Sequence, residues 1–394
     1  LSERAIPLFE QGVAIRRQEC PLDTAQGAVA LANLAHALPD AGHLVSAEAY
    51  LEQAVTLSET GDESRSVGTA DILVQFGNFA LNAKSDPAHA AQLFGRALII
   101  YRDTLGNQNL QVSETLHGLA SDASWPHDYT LAEHYQREAL GIFQATVSRN
   151  HPENAIALAT LGYILTQREQ YAEAEQVLSE ALQIERNVFG ADNPRIAAIE
   201  ADLGVLYDRK GDVTRAIAAT QAALKITRER RGSNHYMAGY YLDALANIYL
   251  KANDLPAAET YARQALAVYA RSLPAHHLYV ASTQELLGLV LLRRGSLDAA
   301  EVQLRSAHDM NVELTGANSW RSARSEASLA WVLIARDKAA EGEPMLLAAR
   351  AKLLATVGPE HPATRQATAW LAEYYRAHHR DADAARVLAA PRTR

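Results

Sequence analysis

Apolar residues recur along this chain with the spacing of helices. Ala155, Leu158, Leu161, Gly162 and Leu165, then Ala174, Leu178, Ala181 and Leu182, follow the i, i+3, i+4, i+7 stripe of an amphipathic helix. The stripe itself repeats. A Leu-Gly or Leu-Ala pair stands at Leu119-Ala120, Leu161-Gly162, Leu203-Gly204, Leu245-Ala246, Leu287-Gly288, Leu329-Ala330 and Leu371-Ala372, each 42 residues after the last. Phe76-Gly77 lies 43 residues before this series and Leu34-Ala35 a further 42, the extra residue falling in the turn of Asp86 and Pro87. A fixed period of this length overrides any count of domains made from length alone.

Two columns of small residues keep step with the pair. Thirteen residues on, allowing for the one insertion, come Ala47, Ala90, Ala132, Ala174, Ala216, Ala258, Ala300, Gly342 and Ala384. Seven further on come Ala54, Ala97, Ala139, Ala181, Ala223, Ala265, Ala307 and Ala349. Antiparallel helices approach closely only where neither carries a bulky side chain, so these columns predict helix crossings. Breakers at Gly211-Asp212, Asn253-Asp254 and Gly295-Ser296 part the two helices of their units. Gly106, Gly190, Gly232, Gly316 and Gly358 close units, followed three residues later by Asn109, Asn193, His235, Ser319 and His361. Pro152, Pro194 and Pro362 then suit the first turn of the next helix.

Together these features resemble the tetratricopeptide repeat in its 42-residue form, similar to kinesin light chain and many bacterial proteins. The string from Leu161 to Pro194, LGYILTQREQYAEAEQVLSEALQIERNVFGADNP, carries the resemblance most clearly. It implies an all-α, right-handed superhelical solenoid of antiparallel helix pairs, about nine units with an N-terminal half-repeat. Residues 1–20 are expected to be the second helix of a truncated repeat, 21–390 one continuous superhelix, and 391–394 a tail. In the third unit, helix formers give way at Ser121–Pro126, which predicts a kink or a shortened helix, either a drifted repeat or a hinge or partner-binding elbow around Trp125.

Composition narrows the chemistry. The 394 residues hold 37 Lys and Arg against 46 Asp and Glu, a net charge of -9, which argues against a nucleic-acid backbone as partner. No apolar run reaches the roughly 18 residues of a membrane span, and the charged opening stretch is no signal-peptide core. No membrane insertion is expected, and the location is expected to be cytoplasmic. Cys20 alone supports neither a disulfide nor a thiolate zinc site, and with Pro21 after it and no third group it is expected to be inert. His151, His235, His277 and His361 share one column, about 10 Å from layer to layer, too far to chelate one ion, so they are expected to serve loops and caps. No phosphate-binding loop, dinucleotide fingerprint or HExxH string is present. Basic residues gather near first-helix ends, at Arg209-Lys210, Lys251, Arg293-Arg294 and Arg336, where the helix dipole favours them or an anionic ligand could lie. No enzymatic activity, cofactor or metal is expected.

What remains is surface. Tetratricopeptide arrays line their concave face with first-helix residues and take up a segment of a partner, and this is what the resemblance implies here. Counted from the anchor leucine, the inward positions include Tyr163, Asp202, Tyr240, Asn247, Leu286, Leu289, Arg324, Trp331 and Trp370. The asparagine ladder of kinesin-light-chain-like arrays is reduced to Asn33, Asn78 and Asn247, and no carboxylate clamp for a chaperone tail is present. The leading expectation is a non-catalytic scaffold that binds a partner peptide or helix, as a monomer. The alternative is a regulatory or sensor region attached to an upstream catalytic domain, such as a Ser/Thr kinase, or a DNA-binding domain.

Overall fold

A computed structural model of the chain describes Gln11 and residues 25–389, save 39–43, 61–63, 85, 125–127 and 148–149. The proposed half-repeat at 1–20, Cys20, the Trp125 elbow and the 391–394 tail therefore lie outside the described residues, apart from Gln11. The described residues are helical, without strands. By internal contacts the chain divides into Leu1–Ala191 and Asp192–Arg394. The first unit holds α1 (Ala25–Ala37), α2 (Leu44–Ser58), α3 (Val67–Asn82), α4 (Pro87–Leu105), α5 (Leu110–Ser124), α6 (Tyr129–Thr146), α7 (Pro152–Gln167) and α8 (Tyr171–Phe189). The second holds α9 (Pro194–Lys210), α10 (Val213–Arg231), α11 (Tyr236–Lys251), α12 (Leu255–Ser272), α13 (Leu278–Arg293), α14 (Leu297–Thr315), α15 (Trp320–Ala335), α16 (Ala339–Val357), α17 (Pro362–Ala377) and α18 (Asp381–Leu388). Within each unit odd and even helices pair, and each pair packs on the next as a solenoid.

The two alanine columns lie at the crossings. Ala216, Ala258 and Ala300, with Ala223, Ala265 and Ala307 one register on, are wholly inaccessible to solvent. The facing first helices leave equally little room. A Cβ on Gly204 would stand 2.5 Å from Thr220 Oγ1, and one on Gly288 would stand 2.5 Å from Leu304 Cγ. The leucines that precede these glycines, and their equivalents, fill the space between pairs.

Turn chemistry is equally periodic. The residue joining the two helices of a pair is left-handed in six successive places, at Glu169, Gly211, Asn253, Gly295, Asp337 and His379, so this turn accepts side chains as well as glycine. Asp86, Asp128, Asp212 and Asp254 then cap the second helix, each accepting a hydrogen bond from a backbone N–H three residues on at 3.1 Å. Between pairs, Gly232 and Gly316 hold φ near +90° and +82° with extended ψ, a region essentially confined to glycine. First helices start on a third cap. His151, His235, His277 and His361 accept through Nδ1 from the N–H two residues on, as Asn109 and Asn193 do through Oδ1. In the third unit α5 is described as far as Ser124, and the expected kink or shortening at Ser121–Pro126 lies partly outside the described residues.

Four of the basic residues at first-helix ends are committed internally rather than offered to an anion. Arg294 pairs with Glu259, Arg336 with Glu301 and Asp298, and Lys251 with Asp208, while Arg293 donates to the Leu250 carbonyl at 3.1 Å. Each of these links a first helix to the pair before it. No helix among the described residues is long and apolar enough to cross a membrane.

Ala265→Leu should lower stability by about 1–3 kcal/mol through overpacking, whereas Leu at the exposed Ala267 should stay within about 0.5 kcal/mol, as read by thermal unfolding. Burial holds His235 and His277 below the usual histidine range, with Arg231 adding to the effect at His235. Because the folded pKa is depressed, this contribution is complete above the unfolded value of about 6.5 and fades as pH falls through the folded one. The double variant His235→Asn, His277→Asn keeps a capping acceptor, and should lose less stability than the parent between about pH 7 and 5.

Candidate functional site

In the second unit the first helices of neighbouring pairs touch, α11 with α13, α13 with α15 and α15 with α17, and form a layer. Its open side carries most of the residues named from the sequence. Tyr240 is 40% exposed and Asn247 is exposed, while Leu289, Trp331 and Trp370 are half-buried. The indoles of Trp331 and Trp370, on α15 and α17, stack with centroids 5.7 Å apart and planes 8° from parallel. Each leans on the core below and leaves part of its ring uncovered. Tyr163 belongs to the other unit, exposed on α7 with its ring 6.4 Å from that of Tyr129.

Leu286 does not line this face. It is 6% exposed and packs with Leu287, Val290 and Leu329 in the core, because at its position α13 has turned toward the neighbouring pair. Arg324 is half-buried and bound to Glu285, with Nη2 and Nε donating to Oε2 at 2.8 and 3.1 Å, while Ser328 donates to Oε1 at 2.9 Å. Glu285 is itself 4% exposed. The arginine is thus a cross-helix tie between α13 and α15, and removing it would strand the buried Glu285 carboxylate.

Between α9 and α11 lies a cavity of about 270 Å³, with Thr220 of α10 also in its wall. Asp202, Asp208, Asp243, Tyr240, Asn247 and Lys251 supply its polar lining. Asp208 is paired with Lys251 at 2.5 Å, and Asp243 accepts from Thr283 Oγ1 at 2.6 Å. Asp202 accepts no hydrogen bond among the described residues. Burial pushes the Asp202 carboxyl up to about 7. It pushes Asp243 up to about 6, against the pull of Thr283 and Arg324. In the other unit a cavity of about 250 Å³ occupies the equivalent place between α1 and α3, lined by His36, Gln75, Asn78 and Asn82.

Asp243 and Glu285 escape a reading confined to the expected inward columns. Both stand two residues before the anchor leucine, where Ala159, Ala201, Ala327 and Ala369 occupy the surrounding units. A carboxylate in a column of alanines is the signal that marks them. Among the described residues no group of three or more His, Cys, Asp or Glu is placed to hold a metal ion.

The raised Asp202 fixes a pH dependence. Its neutral form is favoured in the folded chain, so the stability tied to it is complete below the unfolded value of about 3.9 and is lost as pH rises through about 7. Asp202→Asn should therefore raise the melting temperature by a few degrees near pH 8 and leave it unchanged near pH 4, as read by calorimetry.

Comparison with known proteins bears on the fold. The model of the tetratricopeptide repeat matches residues 125–184, 153–229, 209–271 and 236–312. No curated protein matches the chain. Among solved structures, a Rap protein complexed with competence and sporulation factor aligns with TM-score 0.61 and 14% identity, over 92% of this chain and 96% of that one. The apo quorum sensor NprR from B. thuringiensis aligns with TM-score 0.60 and 13% identity, over 92% and 97%. A tetratricopeptide repeat protein from Parabacteroides merdae aligns with TM-score 0.51 and 16% identity, over 72% and 93%. At these identities the likeness is one of fold. Residues 125–312 thus carry tetratricopeptide repeats, and helix pairs of the same kind lie on either side of them.

Proposed function

We propose that the chain is a non-catalytic interaction scaffold whose first-helix layer in residues 192–394 receives a segment of a partner protein. The observation that carries this reading is the stacked Trp331–Trp370 pair, partly exposed on adjacent first helices. Aromatic side chains partly exposed on a rigid helical layer are the usual energetic anchors of an interface. Leu289 extends the apolar surface, and Asn247 and Tyr240 supply hydrogen-bonding groups beside it. Tyr163 has the corresponding exposure in the first unit and is proposed as a further contact. Leu286 and Arg324 act as supports, the one in the core and the other through Glu285.

A second reading makes the array the sensor region of a regulatory protein. The likeness in fold to a quorum sensor and to a Rap protein solved with a signalling factor favours it. Both readings use the same face, and they differ in whether the bound segment regulates a further activity.

The tagged chain should retain one or more proteins from a lysate of its own host, and Trp331→Ala, Trp370→Ala should lose them while its melting temperature falls by only a few degrees. Retention of the same proteins by the variant would move the function to another surface.

A further inference from the structure

The cavity between α9 and α11 continues into a patch of tyrosines. Tyr240 lines the cavity, and its ring lies 6.0 Å from that of Tyr279 at the start of α13. Tyr279 is stacked in turn on Tyr236, with centroids 6.4 Å apart and planes 12° from parallel. All three rings are exposed, at 40%, 37% and 37%. The chain thus sets half-buried carboxyl groups in the wall of a pocket and partly exposed aromatic rings beside it.

The charges in the pocket do not balance. Lys251 offsets Asp208, and among hydrogen-bond partners Asp243 has the Thr283 hydroxyl and Asp202 has none. Arg324 pulls on Asp243 while hydrogen-bonded to Glu285, and among the described residues no cation answers Asp202. A buried carboxylate gains most from a cation that replaces its lost water, and a guanidinium or ammonium passing over a tyrosine face gains further from the ring's negative centre. The Asp243 and Glu285 substitutions into an alanine column have diverged in use. Glu285 is answered inside the chain by Arg324, while Asp243 opens into the cavity.

We propose that this pocket takes up a basic side chain, arginine or lysine, from the segment that the first-helix layer binds, with Asp202 and Asp243 holding the cationic head and Tyr240 and Tyr279 covering the approach. The proposal rests on the reading of that layer as the binding face, and it specifies a charge the partner must carry. The occupant follows from charge complementarity. The pocket volume suits one long side chain, and the exposed rings continue along the layer on which the rest of a segment would lie.

The test uses the full chain with carbon-13-labelled tyrosine, and the Tyr240 ring signals assigned through Tyr240→Phe. Three probes are titrated to millimolar concentration: a short capped peptide with a central arginine, the same peptide with citrulline, and agmatine. The arginine peptide should shift the Tyr240 signals and bind at least about tenfold tighter than the citrulline peptide. Asp202→Asn, Asp243→Asn should abolish that preference, while Trp331→Ala, Trp370→Ala should leave it. Equal binding of the arginine and citrulline peptides would overturn the basic-side-chain assignment and leave the binding face intact. Failure of all three probes to move Tyr240 would overturn it as well. Agmatine binding as tightly as the arginine peptide would put a free cation, and no partner segment, in the pocket.

Discussion

Close approach of two helices at a pair of small residues is the constraint from which the rest of this structure descends. Ala258 and Ala265 on one helix, or Gly288 facing Leu304, have no side chain to spare, and any added carbon meets an atom already in place. Dispersion between well-packed surfaces falls off steeply with separation, so the crossing must be tight to be stabilising at all. Once second helices are pinned against first helices in this way, each first helix has one side in the pair, one against its neighbour, and one left over. The leftover side is where Tyr240, Asn247, Trp331 and Trp370 are found.

Electrostatics elaborates that packing. Side chains at the end of a first helix reach back to carboxylates of the preceding pair, as Arg294 does to Glu259 and Arg336 to Glu301, so a charge that would suit the helix dipole also ties successive layers together. The acidic groups of the first-helix layer follow a different logic. Glu285 is buried and fully answered by Arg324 and Ser328, whereas Asp202 is desolvated without an answer. Such an imbalance costs stability in the isolated chain. It is the kind of cost a binding site carries, because a ligand can remove it.

Most of the fold was legible in the amino-acid order, since a 42-residue period repeats each packing requirement and turns a weak local signal into a strong one. The alanine columns, the turn residues and the capping histidines all lie where spacing put them. The site was less legible. Leu286 and Trp370 share a repeat position, yet one is buried and the other partly exposed, because exposure depends on how the neighbouring pair covers each turn. Arg324 reads as a surface cation until its partner Glu285, 39 residues away in sequence, is seen beside it. The cavity beside Asp202 arises from the separation of two first helices, which no single repeat encodes.

On the proposed reading a ligand meets the first helices, because the second helices spend their small-residue side on the crossings. Hydrogen exchange of the full chain, with and without a partner that it retains, tests this directly. The account predicts that added protection in residues 192–394 falls on α11, α13, α15 and α17. Protection concentrated on α12, α14 and α16 would contradict it.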